Sequence, residues 1–469
     1  MNKTWKLSSV VTISSVLLLA ACNGGDNETA ANENASGNGG SGNDTHNNHM
    51  NEDMNEHMNE NMEEHMNENM NNHMDHNEDM NEHGEHMDDH EEHMNGNNEA
   101  REAFEEEAAQ LPESWNDNAG ENLQVDSTKN ITRLSGNSVE EMSVIASQTI
   151  WPATHEANQP GTVILAEEDE WQHALAALTL VHHPNDGPLL LMEDGLTEDL
   201  VAEIERLAPL GNEEGIEVLV AADLSAEEEE MLEGFETDNV YEEDPAQFAK
   251  EIEESFAEII GELPDSVIIG SMEEEHQASS LLAGSWIAHM NESLLYVNEE
   301  IPAATKEALE ARNGEANMYL LGNDDAISSE VEEELEEFGN VVRIEGDTPA
   351  ELSIAFAEYQ DDSFGWGIDE PGHGLVFASV NEPELAMPAM PLAHLGKHAP
   401  LIWMEEELEQ PHADYLAKLK PSFEEAPMEG PYNHGYVIGG EDTISFQAQG
   451  TLDALLEIEQ LDGDGHGDH

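Results

Sequence analysis

The stretch "TVILAEEDEWQHALAALTL" at 162–180 decides the fold, because altered copies of it appear at two later places in the chain. The copies are "SVIIGSMEEEHQASSLLAG" at 266–284 and "LVFASVNEPELAMPAMPLA" at 375–393. Each begins with a short apolar run, passes through a polar turn and ends in an alanine-rich segment. Such runs are typical of buried strands, and the alanine-rich segments predict helices that approach a sheet closely.

Two further apolar strands follow each copy, in the same order. The second strands are "GPLLLM" at 187–192, "ESLLYV" at 292–297 and "APLIWM" at 399–404. The third strands are "EVLVAAD" at 217–223, "MYLLGND" at 318–324 and "YVIGGED" at 436–442. Strands that alternate with helices indicate βαβ units and a mostly parallel sheet covered on both faces. The repeated order predicts one α/β building block, written three times.

Changes of composition divide the chain into seven segments. They are a signal peptide (1–21), a tether rich in Asn, Glu, Met and His (22–98), a linker with a short helix (99–128), three repeats (129–238, 239–340 and 341–458) and an acidic, histidine-containing tail (459–469). The tether has almost no branched aliphatic residues, so it cannot bury enough apolar surface to offset its chain entropy. We expect it to be disordered.

Three stretches resemble the type 2 cell-wall-binding repeat of clostridial and other Bacillota surface proteins. They are "RLSGNSVEEMSVIAS" at 133–147, "RIEGDTPAELSIAFA" at 343–357 and the glycine-pair strand "YVIGGEDTIS" at 436–445. The resemblance implies an α/β fold of three tandem Rossmann-like or toprim-like units, with mostly parallel sheets around a pseudo-threefold axis. It also implies a non-enzymatic module that binds anionic secondary polymers of the wall.

The resemblance further implies a polymer site in the groove beside the second strand of a repeat. The matching positions are Arg133, Pro188, Leu189, Leu190, Arg343, Pro400 and Leu401, with Tyr241 in the place of the opening arginine in the middle copy. A different interpretation is that the "PLLLM" and "APLIWM" stretches are only core strands, since continuous apolar runs are typical of buried strands.

The acidic balance of the chain limits its partners. Asp and Glu number 106 against 13 Lys and Arg, giving a formal net charge of −93. Nucleic acid and anionic lipid headgroups both need basic counter-charge, so neither is an expected partner. An anionic wall polymer would need bridging divalent cations or high salt. A surface this acidic also favours solubility in a saline habitat, although an ordinary acidic surface protein fits the composition too.

The N-terminus predicts export and a lipid anchor. Lys3 and Lys6 precede the apolar run "LSSVVTISSVLLLAA", which ends just before Cys22, the single cysteine. Small residues before a cysteine resemble the bacterial lipoprotein signal, which implies cleavage and acylation at Cys22. The expected location is the extracellular face of the membrane, with membrane contact through the lipid alone. The alternative is a secretory signal with a chance cysteine.

The tether carries ten histidines and ten methionines between His46 and Met94. The candidate metal ligands are His49, Met50, His57, Met58, His65, Met66, His73, Met74, His86, Met87, His93 and Met94. Thioether favours Cu(I), whereas imidazole suits Cu(II) and Zn(II), so copper is the favoured ion and zinc the alternative. Methionines spaced by four residues also fit a partly helical spacer without ligands.

No catalytic motif accompanies the repeats. The sequence has no G-x-S-x-G, H-E-x-x-H, C-x-x-C or P-loop pattern, so an enzyme is not expected. His182 and His183 precede "PNDGP", where a role at a helix end is the simplest interpretation. The leading hypothesis is a surface lipoprotein whose repeats bind wall polymer. The second is a metal-capturing lipoprotein with the repeats as scaffold, and the third is a structural spacer.

Overall fold

Three four-stranded parallel sheets and one two-stranded parallel sheet alternate with helices in the part of the chain that the structure describes. The structure, a computed structural model, describes residues 100–116, 118–361 and 363–461. The predicted α/β fold with parallel sheets is confirmed. Cys22, the His-Met pairs of the tether and the tail after residue 461 lie outside the described residues.

The strand–helix order repeats through three units. After α1 (100–108), the first unit contains β1 (Ile131–Leu134), α2 (Val139–Ile150), β2 (Val163–Glu167), α3 (Trp171–Ala177), β3 (Leu189–Met192), α4 (Glu198–Leu207), β4 (Val218–Ala221) and α5 (Ala226–Met231). The second contains β5 (Thr237–Asn239), α6 (Pro245–Ile260), β6 (Ser266–Ser271), α7 (Gln277–Ile287), β7 (Ser293–Val297), α8 (Ala303–Glu310), β8 (Ala316–Leu321) and α9 (Ser329–Leu335).

The third unit departs from this order between its second and third strands. It contains β9 (Gly339–Ile344), α10 (Pro349–Glu358), β10 (Gly374–Ser379), α11 (Leu392–Leu395), β11 (Leu401–Met404), α12 (Gln410–Leu419), β12 (Ser422–Phe423), β13 (His434–Ile438), α13 (Phe446–Leu456) and β14 (Glu459–Gln460). After β10, where the sequence predicts an alanine-rich α-helix, the chain forms a 3-10 helix, Pro383–Ala389. Pro388 lies inside this segment, where its missing amide donor and its ring disfavour a regular α-helix, whereas Pro383 is at the first position, which tolerates proline.

Side-chain caps start the helices. In seven helices a residue just before the first turn accepts a hydrogen bond from a backbone N–H of that turn; the residues are Ser138, Thr197, Ser225, Asp244, Ser328, Thr348 and Ser445. Each cap satisfies a donor that the helix itself leaves unpaired and is worth about 1 kcal/mol. Local sequence therefore determines where most helices begin.

Each sheet is completed by a strand from the following unit. The strand orders are β3-β2-β4-β5, β7-β6-β8-β9 and β11-β10-β13-β1. The fourth strand of the first and second sheets is thus the opening strand of the next unit. The third sheet takes β1, the opening strand of the first unit, with Ile131 opposite Gly435. This pairing joins the two ends of the repeat array, so the three units form a closed cycle.

The helices that follow β2, β6 and β10 meet one another. α3, α7 and the 3-10 helix Pro383–Ala389 are in pairwise contact, and one buried apolar cluster includes residues of all three. Gly284 of α7 lies where they cross. A Cβ atom there would come within 2.0 Å of Met390 Sδ and 2.9 Å of Leu175 Cδ1. Only a residue without a side chain allows this approach.

None of the helices within the described residues combines the length and the apolarity needed to cross a bilayer.

We expect the substitution Gly284→Leu to destabilise the fold by about 1–3 kcal/mol, because overpacking a filled core forces neighbouring side chains out of their rotamers. The measurement is the urea midpoint of unfolding. Gly450→Leu is the matched control, since Gly450 is also helical and a Cβ there meets no atom within 4 Å. Equal midpoints for both variants would contradict the crossing at Gly284.

Candidate functional site

Arg133, a predicted polymer contact, is directed into the protein. It lies on β1 and is 6% exposed. Its Nε donates to Gln449 Oε1 at 2.6 Å, and its two amino groups donate to the carbonyl oxygens of Gly439, Gly440 and Ile444 at 2.8–2.9 Å. These carbonyls form the loop that follows β13. Arg133 therefore stabilises the loop after the third strand of the sheet that β1 completes.

Arg343 has the same role on β9. Its amino groups donate to the carbonyls of Gly322 and Ile327 at 2.8 Å and pair with the Glu332 carboxylate at 2.6 Å. Gly322 has φ +123°, so the loop after β8 uses a backbone conformation that side chains disfavour. Both arginines thus hold equivalent loops in place.

The equivalent residue of the middle copy is Asn239, and the alignment that placed Tyr241 there is wrong. The strand register sets Arg133 opposite Val437, Arg343 opposite Leu320 and Asn239 opposite Val220. These three partners are the penultimate residues of β13, β8 and β4. Asn239 Nδ2 donates to the carbonyl of Ala222, just after β4, at 3.2 Å. The shorter amide makes one of the arginine's contacts. Tyr241 instead donates to Glu170 from its hydroxyl at 2.8 Å.

The apolar residues predicted to line a polymer groove are core residues. Leu189, Leu190 and Leu401 are at most 3% exposed, and Pro188 and Pro400 are buried. Helices cover these edge strands as well. The backbone N–H of Leu191 donates to Ser143 Oγ of α2 at 2.9 Å, and that of Trp403 donates to Ser353 Oγ of α10 at 3.0 Å. Their assignment to polymer stays a prediction, and the proposal below does not use these side chains.

Carboxylates accumulate where the central strands end. β2 ends at Glu167 and is followed by Glu168, Asp169 and Glu170. β6 is followed by Glu273–Glu275, and β10 by Glu382 and Glu384. The units touch here, since Trp171 Nε1 of the first donates to Glu274 Oε2 of the second at 3.0 Å. We call Glu168, Glu274 and Glu384 the acidic junction, because each comes from a different unit.

The carboxylates of this edge perturb one another. Burial, followed by Glu193 and Glu384, raises the pKa of Glu168. Burial, followed by Glu382 and Glu274, raises the pKa of Glu384. Like charges therefore act across all three units, because each carboxylate disfavours ionisation of its neighbours. A nearby cation would relieve this repulsion.

Across the described ranges, no group of three or more histidine, cysteine or acidic side chains has the arrangement of a metal site. The acidic junction is therefore a negatively charged surface rather than a preformed chelating site.

Histidines form a second cluster, built from all three units. The ring centroids of His182 and His394 are 4.1 Å apart, those of His394 and His289 5.7 Å, those of His289 and His398 4.8 Å, and those of His398 and His373 5.5 Å. We call these five residues the histidine seam. Trp366 stacks on His289 at 5.6 Å. His289 Nδ1 and Trp366 Nε1 are buried without a hydrogen-bond partner among the described residues.

Four members of the seam lie before the second apolar strand of a copy: His182 precedes β3, His289 precedes β7, and His394 and His398 precede β11. The fifth, His373, directly precedes β10. Only His182 and His394 stand at matching places, each five residues before its second-strand stretch "GPLLLM" or "APLIWM". The sequence interpretation considered His182 only as part of a helix end, where the structure has a single π-helical turn, Val181–Asn185.

Burial lowers the pKa of three histidines of the seam, His289, His373 and His398. Burial, followed by the neighbouring rings, lowers the pKa of His289 to about 4, and burial, followed by His373, lowers that of His398 to about 4. Burial also lowers the pKa of His373, although Asp369 and Glu370 oppose the shift. Protonation would place several positive charges where the three units meet, at a high cost in free energy.

Two solved structures from Clostridium difficile are similar in fold. With Cwp6 the TM-score is 0.56 at 16% sequence identity, and the match covers 73% of this chain and 51% of that chain. With Cwp8 the TM-score is 0.52 at 20% identity, covering 70% of this chain and 52% of that chain. The match thus spans about half the length of each protein and shows the fold alone. No protein-family profile and no curated protein matches the sequence.

We expect Arg133→Ala to reduce the free energy of unfolding by about 2–4 kcal/mol, because buried carbonyls lose a charged donor. The measurement is urea denaturation. Lys306→Ala, which removes a 43%-exposed cation, is the control and should change stability by less than about 0.5 kcal/mol. An Arg133→Ala protein of unchanged stability that bound wall polymer less well would favour direct polymer contact instead.

The seam predicts a pH dependence of stability that one substitution reduces. A histidine whose folded pKa lies near 4, below its ordinary value of 6.5, leaves stability intact above pH 6.5 and lowers it as pH falls towards 4. We therefore expect His289→Gln to remove about 1–2 kcal/mol of the stability difference between pH 7 and pH 5. The measurement is urea unfolding at both pH values.

The comparison must be between variants, because carboxyl groups act in the opposite direction. The pKa of Glu167 and of Glu292 is raised to about 7, chiefly by burial, so these groups add stability as the pH falls from 7. His155→Gln, at an exposed position, is the matched control. If the stability of His289→Gln depends on pH in the same way as that of His155→Gln and of the unaltered protein, His289 does not lower the stability of the fold at acid pH.

Proposed function

We propose that this chain is a non-enzymatic surface protein whose three α/β units bind cell-wall polymer at the acidic junction through bridging divalent cations. The fold similarity to Cwp6 and Cwp8, which are cell-wall proteins, is the observation that carries the association with the wall. Because this chain is strongly negative, its binding to an anionic polymer would need cations.

Few basic groups of this protein are available to an anionic partner. The net charge is −93, and the two arginines that match the family's opening position are engaged by internal carbonyls. An anionic polymer would therefore be repelled unless cations lay between the two surfaces. Carboxylate oxygens are preferred ligands of Ca²⁺ and Mg²⁺, and polymer oxygens can complete the coordination of an ion that the protein alone does not enclose.

The acidic junction is the surface that fits this role best. Glu168, Glu274 and Glu384 come from different units and lie at the carboxyl edge of the central strands. Ligands of open α/β sheets usually bind outside the carboxyl ends of strands. Burial, followed by repulsion from neighbouring carboxylates, raises the pKa of Glu168 and Glu384, so a bound cation would relieve the repulsive part of this cost.

The N-terminal segments complete the proposal. A lipid on Cys22 would hold the chain at the outer face of the membrane, and the tether would let the repeats reach the wall. The equal numbers of histidine and methionine between 46 and 94 favour a second role, capture of copper ions by the tether, with the repeats as its scaffold. That role is independent of the acidic junction.

The experiment measures retention of the full mature chain on purified wall fragments, with and without their anionic secondary polymer, in Ca²⁺ and in EDTA. We expect removal of the polymer or of Ca²⁺ to reduce retention, and the polymer-dependent part of the retention to need Ca²⁺. The triple substitution Glu168→Gln, Glu274→Gln and Glu384→Gln should weaken binding by about tenfold or more, or roughly 1.4 kcal/mol.

The matched control is the triple substitution Glu333→Gln, Glu336→Gln and Glu337→Gln. It removes the same charge from exposed positions at and beyond the end of α9 and should leave retention unchanged. Equal retention on stripped wall would refute polymer binding. Polymer-dependent retention that is as strong in EDTA as in Ca²⁺ would refute cation bridging, and equal losses in both triple variants would refute the acidic junction as the site.

A further inference from the structure

A groove separates the linker helix from the last helix of the module. Its volume is about 710 Å³, within the range of small-molecule pockets of roughly 300–1,000 Å³. One wall consists of α1 and the following loop, with Phe104, Leu111 and Trp115, and the other consists of α13, with Phe446 and Gly450. Its lining contains no residue of the acidic junction and none of the predicted polymer residues.

Hydrogen bonds hold the wall that contains α1 against α12 of the third unit. Arg101 of α1 donates to the carbonyl oxygens of Lys420 and Lys418 at 2.9 and 2.6 Å, both just at the end of α12. Gln410 Nε2, from the start of α12, donates to the carbonyl oxygen of Ala109 at 3.0 Å. The linker helix is therefore docked on the third unit at both of its ends. Its position relative to α13, the other wall of the groove, is thereby fixed.

Aromatic rings give the groove its chemistry. Trp115 is 43% exposed although it is a large apolar residue, and Phe104 and Phe446 are partly exposed. Such rings bury apolar surface at a low cost in side-chain entropy, and their flat faces pack against the C–H faces of pyranose rings. The side-chain amides of Asn116 and Gln447 lie in the same lining and can hydrogen-bond sugar hydroxyls.

The charges in the lining argue for an uncharged ligand. The charged side chains that line the groove are Glu107, Lys420 and Glu459. Lys420 is 5% exposed, pairs with the Glu459 carboxylate at 3.3 Å and donates to the carbonyl oxygen of Ala454 at 2.5 Å. The one cation of the lining is thus already engaged. An anionic ligand would meet two carboxylates and no available counter-charge.

We propose that this groove binds a short neutral oligosaccharide, with a sugar ring stacked on Trp115. This site goes beyond the cation-bridged contact proposed above, because it uses different residues and needs no divalent ion. A glycan strand of the wall has the required chemistry: uncharged rings with one apolar face and hydroxyl or amide groups at the edge.

Gly450 offers a way to block the groove without disturbing the fold. A Cβ atom at Gly450 meets no atom within 4 Å, and the residue is helical, so Gly450→Leu should fill the groove while favouring the helix. Gly234→Leu is the matched control, because a Cβ there also meets no atom within 4 Å and the residue lies in the first unit. Trp115→Ala removes the aromatic platform, and Trp115→Phe restores a ring.

The test titrates the full mature chain with a trimer of N-acetylglucosamine in EDTA and measures binding by calorimetry. We expect saturable binding that Gly450→Leu and Trp115→Ala each weaken at least tenfold. Trp115→Phe should recover part of the loss, and Gly234→Leu should bind as the unaltered chain does. No saturable binding, or equal binding by Gly450→Leu, would overturn the proposal, including the case in which another segment of the chain occupies the groove.

The result is separable from that of the wall experiment. Gly450→Leu should leave Ca²⁺-dependent retention on the anionic polymer unchanged, because the acidic junction is intact. Binding of the trimer with failed wall retention would support this site and refute the cation-bridged contact. Wall retention without trimer binding would do the reverse.

Discussion

The parallel pairing of β1 with β13 is the interaction on which the rest of the structure depends. It connects Ile131 to Gly435 across almost the whole described chain and closes a cycle in which every unit lends its opening strand to another sheet. The lent strand pairs the outer side of β4, β8 and β13, which would otherwise expose a row of backbone donors and acceptors. The acidic junction and the histidine seam both need this closure, since each takes side chains from all three units.

The protein uses its few cations internally and leaves its surface acidic. Arg312 forms a buried pair with Glu253 at 2.6 Å, Arg206 pairs with Glu203 at 2.7 Å, and Arg133 is surrounded by carbonyl oxygens. With only 13 lysines and arginines, little positive charge remains for external partners. Recognition of an anionic polymer must then rely on metal cations, and recognition without them must rely on neutral, aromatic chemistry. The acidic junction and the groove beside Trp115 represent these two possibilities.

The similarity to Cwp6 and Cwp8 concerns architecture, since the sequence identities are 16% and 20%. Its opening arginines are structural, and one of the three places is occupied by Asn239, which makes only a single bond to the loop after β4. A fold can keep its loop-holding contacts while the exposed carboxyl edge changes in charge. The acidic junction and the groove beside Trp115 are therefore the surfaces proposed for binding in this chain.

The sequence by itself determined the local structure. Apolar runs of four to six residues marked the buried strands, caps such as Ser328 marked helix starts, and the threefold order of strands predicted the parallel sheets, because these features depend on neighbours along the chain. Only the tertiary structure decided which strand completes each sheet and which side chains meet. β1 and β13 are about 300 residues apart, and His182, His289 and His398 come from different units. Periodicity records which face of an element is buried, but it does not record the distant partner against which that face packs.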